Sequence, residues 1–337
     1  MFSWQGCKVA VTGATGFVGS HAASELRGCG ANVIALTRAT SDVRRLRALA
    51  IECVTTSLND VAGLAAALRD REVVVHAAGA VGFDDDWATY TRVNVDGTRN
   101  LLTAARQAGV RRVVHVSSIV AVGGSVERCI LDESAEWNLG SLRVPYVTTK
   151  RWAEEAALDA NGNGLEVVVV NPASVIGPDD YSSSEFGLLC KRFWRRRIPV
   201  CFGGGNNYVD VRDVARGIRL ALEKGTAGER YLLTGANRLN HAFFADLAKA
   251  AQRTIPCIRL PVWMAQLVGL ANDRLRRKEG QRAYLTSTQV ELIGRYFFFS
   301  SAKAERELGF RPRPLMETLA DAYAFWMTPT EQRRLAA

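Results

Sequence analysis

The segment Lys8-Val9-Ala10-Val11-Thr12-Gly13-Ala14-Thr15-Gly16-Phe17-Val18-Gly19 joins a short apolar run to a glycine-rich turn and the start of an amphipathic segment. The run from Lys8 to Val11 reads as a buried strand. Beyond the turn, Val18, Ala22, Ala23 and Leu26 recur at helical spacing. A strand, a glycine turn and a helix start together form a phosphate site. The helix N-terminus offers unpaired N–H groups and positive partial charge, and glycines let a pyrophosphate approach the backbone. The glycines fall at 13, 16 and 19, so the pattern is G-x-x-G-x-x-G rather than the commoner G-x-G-x-x-G. Gly13, Thr15, Gly16, Phe17, Val18 and Gly19 are therefore the first expected nucleotide contacts.

Outward from this turn, apolar runs alternate with helical patterns for the first 170 or so residues. Strands are expected over 32–37, 51–55, 112–117 and 165–170, and from Val73 into a small-residue turn that ends at Gly79, with helices over 60–69, 87–108 and from Pro145 onward. Pro145 sits where a helix tolerates proline, in its first turn. Short apolar strands separated by helices imply a parallel sheet covered on both faces. Right-handed crossovers make it doubly wound, with ligands at the carboxyl ends of the strands. The C-terminal region reads as a smaller, mainly helical substrate domain with helices over 242–251, 262–275 and 315–327. The chain is expected to return to the main sheet around Tyr208 to Val214, and Tyr231 to Thr234 reads as another strand, so that the two domains interleave. The expected division is a nucleotide-binding domain over 1–171 with a returning segment over about 207–225, and a substrate domain over 172–206 and 226–330.

Composition narrows the class. A chain of 337 residues, 48% hydrophobic and 23% charged, fits a globular protein with one large domain or two sharing a core. No apolar run reaches the ~20 residues needed to cross a bilayer. The start, Met1 to Gly6, enters the first strand too soon for a signal peptide, so a cytoplasmic location is expected. The seven cysteines are scattered, odd in number and without a C-x-x-C pair, which suits reduced thiols. Neither they nor the histidines have metal-ligand spacing, so no metal is expected. The net charge of +9 is spread over separated basic runs at element ends. Solvated faces or a phosphate-bearing ligand explain those runs more economically than nucleic acid.

Chemistry is expected from Tyr146-Val147-Thr148-Thr149-Lys150. Residues four apart share a helix face, so phenol and ammonium can address one point. A nearby cation favours the phenolate and suits the tyrosine to proton transfer. The strand before it ends in Ser117-Ser118, whose hydroxyl can bond the same substrate oxygen. Asn94, in the helical stretch between, would be a buried polar group that needs a partner.

These motifs, in this order, resemble those of the extended short-chain dehydrogenase/reductases, the NAD-dependent epimerase/dehydratase group. They are Thr12-Gly13-x-x-Gly16-x-x-Gly19, His76-Ala77-Ala78-Gly79, Asn94-Val-x-Gly97-Thr98-x-Asn100-Leu101-Leu102, Ser117-Ser118 and Tyr146-x-x-x-Lys150. Asn171-Pro172, Ile176-Gly177-Pro178 and Glu307 to Pro312 add to the likeness. The branch it most resembles contains dihydroflavonol-4-reductase-like, 3β-hydroxysteroid dehydrogenase-like and hopanoid-associated sugar epimerase-like proteins. The resemblance implies a Rossmann-like fold and an NAD(P)-dependent oxidoreductase. Tyr146 would be the general acid/base, and Lys150 would hold the nicotinamide ribose and lower the tyrosine pKa. Ser118 would be the catalytic hydroxyl, and Asn94 would hold its helix and a relay water. Ala77, Ala78, Gly79, Asn171 and Pro172 would contact the cofactor. A homodimer through 87–108 and 145–159 is also implied.

The end of the second strand bears on which cofactor binds. NAD-binding relatives carry an acidic residue there, whereas this chain has Thr37-Arg38, with Ser41, Arg44 and Arg45 nearby. A guanidinium that pairs bidentately with phosphate favours NADP(H) over NAD(H). Ser57-Leu58 stands where many relatives place an aspartate against adenine. For the substrate, the run Gly203 to Tyr208 lacks the arginine with which sugar-nucleotide enzymes often grip a diphosphate. Aromatic residues in the expected pocket segments, Phe83, Tyr181, Phe186 and Trp194 with Ser118, suit a hydrophobic ketone or alcohol. The alternatives are an epimerase or dehydratase acting on a sugar or sugar-nucleotide derivative, and a non-catalytic nucleotide-binding regulator. The apolar, basic-tipped segment 262–275 is expected to pack over the pocket or a second subunit, in preference to a peripheral membrane contact.

Overall fold

The computed structural model describes residues 3–82, 86–197, 200–267 and 292–328, with residues 269, 271 and 290. Its centre is a seven-stranded sheet, ordered β3 (Glu52–Thr55), β2 (Asn32–Thr37), β1 (Lys8–Thr12), β4 (Val73–His76), β5 (Arg112–Val116), β6 (Glu166–Pro172) and β10 (Arg230–Leu233). Every neighbouring pair is parallel. The strands alternate between two cores with the period of two that a pleated strand imposes. Val9, Val11, Val114, Val168 and Val170 face one core, while Ala10, Val113, Val167 and Val169 face the other. Both faces are dry, which is why these strands read as unbroken apolar runs.

Helices α1 (Phe17–Gly28) and α8 (Val211–Lys224) cover the first face, Leu26 and Ile218 among their core residues. The second face carries α3 (Val61–Leu68), α5 (Gly97–Gln107) and the far end of α6 (Pro145–Asp159). Local chemistry sets the helix starts. Asp60 accepts the Gly63 N–H to cap α3, and Pro145 opens α6.

Three features depart from the expected layout. β10 pairs with β6, so the main sheet takes a strand from beyond residue 225. The segment around Tyr208 does not join that sheet. It forms β9 (Gly205–Asp210), which pairs with β7 (Ser174–Ile176), β11 (Ala236–Leu239) and β13 (Tyr296–Phe297) in a second sheet. The chain then returns through α8. Finally, the helical stretch from Trp87 is interrupted. α4 (Trp87–Tyr90) passes into a π-helical turn, Thr91–Asp96, before α5 begins.

α7 (Glu185–Trp194), α9 (Asn240–Ala250) and α11 (Leu315–Met327) pack on the second sheet to form a separate core. Phe193, Phe243, Leu319 and Trp326 lie in that core, and Tyr208 stacks on Phe243 with ring centroids 3.7 Å apart. Residues 262–267 are helical, while most of the remainder of the expected helix 262–275 lies outside the described residues. No helix among the described residues is long and apolar enough to cross a membrane.

Candidate active site

The glycine turn is built by close backbone packing. Gly13 has φ +69°, and a Cβ there would lie 2.6 Å from the Ala77 carbonyl carbon. A Cβ on Gly19 would lie 2.2 Å from the Gly13 carbonyl oxygen. Gly16 differs, since a Cβ there would meet only the Gly13 oxygen, at 3.2 Å, so its other side is open. Gly16 is the N-cap of α1 and gives no side-chain cap, and no acidic residue occupies the first turn. The helix start therefore presents open N–H groups beside a bare glycine face, a cradle that fits a dinucleotide pyrophosphate. Thr15 and Val18 are partly exposed on this turn, and Phe17 is buried edge-on against His21.

A buried hydrogen-bond chain ties the turn to the rest of the site. Thr98 donates to the Asn94 carbonyl at 2.6 Å, so its oxygen accepts from His76 Nε2 at 3.0 Å. His76 Nδ1 is left as an acceptor for the Thr12 hydroxyl, 2.7 Å away. Thr12 Oγ1 in turn accepts the Ala78 N–H at 3.2 Å. Burial first, then the charge of Lys150, drives the His76 pKa down to about 3, so this imidazole stays neutral.

The carboxyl end of β5 gathers the residues expected to be catalytic. Ser118 follows the strand and caps the turn Ile119–Ala121 through the Val120 N–H. Tyr146 stands in the first turn of α6, its ring 6.1 Å from that of buried Tyr90. Desolvation raises the phenol above the ordinary tyrosine value, and a side-chain hydrogen bond with Ser118 opposes that rise. This reverses the expected lowering: Lys150 is not among the causes, because its buried ammonium turns to the Val116 carbonyl at 2.9 Å. Tyr146 is thus held in its proton-donating form. Lys150 itself is pushed down to about 8, by burial first, with the Glu154 carboxylate working the other way. An ammonium has three hydrogens, so the bond to Val116 leaves donors for a ribose hydroxyl.

Several expected contacts have other positions. Asn94 is buried, accepting the Ala80 N–H at 2.7 Å and donating to Thr149 Oγ1 at 3.2 Å and to the Ala80 carbonyl. With its amide so engaged it ties α6 to the loop after β4. Gly79 packs closely on it, a Cβ there reaching 3.2 Å from Asn94 Oδ1. Asn171 is fully buried behind Ser118, whose carbonyl accepts from its Nδ2 at 3.0 Å; it is a positioning residue, not a wall of the nucleotide groove. Pro172 ends β6 beside it. Trp194 is also buried, donating its indole N–H to the Leu247 carbonyl at 2.8 Å, so it belongs to the domain core and not to the pocket wall. Phe83 lies outside the described residues. Tyr181 is 41% exposed and partly buried Phe186 meets Tyr208 edge-on, positions that leave both available to a ligand.

At the adenosine end, the Ser57-Leu58 loop follows β3, and the Leu58 carbonyl accepts from Asn100 Nδ2 at 2.9 Å. Arg38 follows β2 with its side chain exposed. Its neighbours are engaged elsewhere. Arg44 pairs with Asp42 at 2.9 Å, whereas Arg45 crosses to the substrate domain, 3.5 Å from the Asp179 carboxylate and 4.6 Å above the Tyr181 ring. No local pattern marks this bridge, whereas buried Glu154 is legible in the spacing Tyr146, Lys150, Glu154 along one helix face.

The profile of the NAD dependent epimerase/dehydratase family matches residues 9–234. Sterol demethylase protein B of Methylococcus capsulatus is 33% identical over 94% of this chain and 97% of its own length. A 4-hydroxy-2-methyl-3-oxo-4-farnesyl-3,4-dihydroquinoline-1-oxide ketoreductase of Stigmatella aurantiaca is 30% identical over 93% of this chain and 94% of its own. Among solved structures, PA4631, a nucleoside-diphosphate-sugar epimerase from Pseudomonas aeruginosa, aligns with a TM-score of 0.78 at 29% identity, covering 95% of this chain and 97% of that one.

Proposed function

This chain belongs to the NAD dependent epimerase/dehydratase family of extended short-chain dehydrogenase/reductases, and from that we propose an NADP(H)-dependent reductase or alcohol dehydrogenase acting on a hydrophobic ketone or alcohol. The observation that carries this reading is the trio Ser118, Tyr146 and Lys150, gathered at the carboxyl end of β5 with a neutral phenol. Gly13, Gly16 and Gly19 would cradle the pyrophosphate, Arg38 the 2′-phosphate and Lys150 the nicotinamide ribose. A bound nicotinamide supplies or accepts the hydride. Ser118 and Tyr146 would both hydrogen-bond the substrate oxygen. In reduction Tyr146 gives that oxygen its phenolic proton as the carbonyl carbon becomes tetrahedral; in oxidation the proton returns.

Two relatives support an apolar substrate, one named for a sterol and one for a farnesylated ketone. The second reading, internal redox on a sugar nucleotide, draws on the likeness to the Pseudomonas epimerase. A homodimer contact fits the outer face of α4 and α6, where Trp87 and Trp152 are 42% and 43% exposed with ring centroids 6.1 Å apart. Nicotinamide fluorescence titrations on protein stripped of nucleotide test the main reading, followed by a panel of apolar ketones. Tighter NADPH binding and consumption of NADPH with a ketone are expected. Protein that keeps NAD(H) through purification, and converts a sugar nucleotide with no net change in nicotinamide, would establish the second reading instead.

A further inference from the structure

Glu154 lies one helical turn beyond Lys150 and is fully buried. Its carboxylate joins three elements. Arg230, at the start of β10, approaches Oε1 at 3.1 Å, and Asn171 on β6 donates Nδ2 to Oε2 at 2.5 Å. The same Nδ2 also reaches the Ser118 carbonyl at 3.0 Å. Arg230 is held in turn by the Glu133 backbone carbonyl, 2.7 Å from its Nη2. A buried carboxylate is costly unless paired and hydrogen-bonded, and this one is both.

We propose that Glu154 is a positioning residue for the reaction: through Asn171 it fixes the backbone of Ser118, and from one helical turn away it sets the charge surroundings of Lys150. The inference rests on the proposed roles of those two residues. The groups facing Lys150 leave this task to Glu154. On α6 itself Tyr146 is neutral. His76 on β4 and His115 on β5 are both neutral at working pH, held low by burial first and then by the lysine charge. Asn171 on β6 carries no charge, and Arg230 on β10 pairs with the Glu154 carboxylate at 3.1 Å. Without Glu154, the burial that already depresses Lys150 would act unopposed.

Glu154→Gln keeps the shape and an acceptor for Asn171 while removing the charge. The first measurement is the pH dependence of acetic anhydride labelling of Lys150 in nucleotide-free protein, read by mass spectrometry. The titration should move to lower pH by about one unit, a tenfold change in proton affinity. The alkaline limb of kcat/KM should move with it, and Glu154→Asp should return both toward the wild-type position. An unmoved titration in folded Glu154→Gln, with activity lowered evenly at every pH, overturns the proposal in favour of plain scaffolding. If Glu154→Gln does not fold, Arg230→Lys takes its place. It retains the carboxylate, so the Lys150 titration should stay within a few tenths of a unit; a downward shift like that expected of Glu154→Gln would count against the proposal. The labelling readout needs no substrate, so it stands whether or not a hydrophobic ketone proves to be turned over.

Discussion

Asn94 on the π-helical turn donates its side-chain N–H to Thr149 Oγ1 at 3.2 Å, one residue before Lys150 on the helix that carries Tyr146. A π turn widens the backbone by one residue and is common at functional sites. Here it coincides with Asn94, whose amide also holds both backbone groups of Ala80. Asn94→Ala would leave the part-buried Ala80 groups without that partner, at up to about 1–3 kcal/mol. Urea melts should show that loss. kcat should fall roughly 10- to 100-fold as α6 loses its register on the loop, an effect expected of small displacements at a reacting centre. Unchanged stability and turnover would mean that water replaces the amide without consequence.

Tyr146→Phe removes the phenolic proton and leaves the ring against Tyr90. General acid–base groups contribute about 10²- to 10⁴-fold, so kcat should fall by that order. NADPH affinity should stay within about twofold, since the open helix N-terminus and Lys150 remain. Stopped-flow hydride transfer and nicotinamide fluorescence separate the two. Retained turnover would remove Tyr146 from the mechanism.

The parts of this molecule visible in its sequence are those with short-range signatures. Val73-Val74-Val75 reads as a strand because it is buried on both faces, and Pro145 marks the start of α6 because of its fixed φ. Tyr146, Lys150 and Ser118 are legible from spacing and order. What the sequence hides depends on distant partners. β10 is a four-residue strand whose place at the sheet edge is set by pairing with β6. Trp194 looks like pocket lining until its indole is seen spent on Leu247. The direction of the Tyr146 shift depends on how completely the fold encloses the phenol, and no local pattern records that.

Arg38→Ala tests cofactor choice. Arg45 is turned to Asp179 and Arg44 pairs with Asp42 at the surface, whereas Arg38 lies directly after β2 with its side chain exposed and is the guanidinium proposed to meet a 2′-phosphate. A hydrogen bond to a charged group contributes about 1.5–3 kcal/mol, so Kd for NADPH should rise roughly 10-fold or more while Kd for NADH barely moves. Equal weakening of both nucleotides would show that the arginine stacks on adenine and does not read the phosphate.

Gly19→Ala should abolish nucleotide binding, although alanine favours a helix over glycine. Its Cβ would press to 2.2 Å from the Gly13 carbonyl oxygen, and backbone cannot yield as a side chain can. Gly28→Ala, at the other end of the same helix where a Cβ meets nothing within 4 Å, is the matched control and should bind normally. Fluorescence titration of both variants decides it, with circular dichroism to check folding. Normal binding by Gly19→Ala would mean that the turn relaxes more easily than its packing implies.

Lys150 gives the fold a pH signature of definite sign. Its pKa falls from 10.5 to about 8 in the folded chain, burial being the main cause. A base with a depressed pKa binds fewer protons folded than unfolded between those values, so stability rises with pH across that window. The penalty is fully present below about 8, shrinks as pH climbs, and is gone above the unfolded value. At about 1.4 kcal/mol per pKa unit it amounts to roughly 3 kcal/mol. Lys150→Met should therefore be inactive yet more stable than the wild type at pH 7, and the gap should close as pH approaches 10.5. Denaturant melts of the pair at several pH values measure this directly. A gap that stays constant from pH 7 to 10 would mean that the lysine is not buried as an ammonium, and its lowered pKa would have to be abandoned.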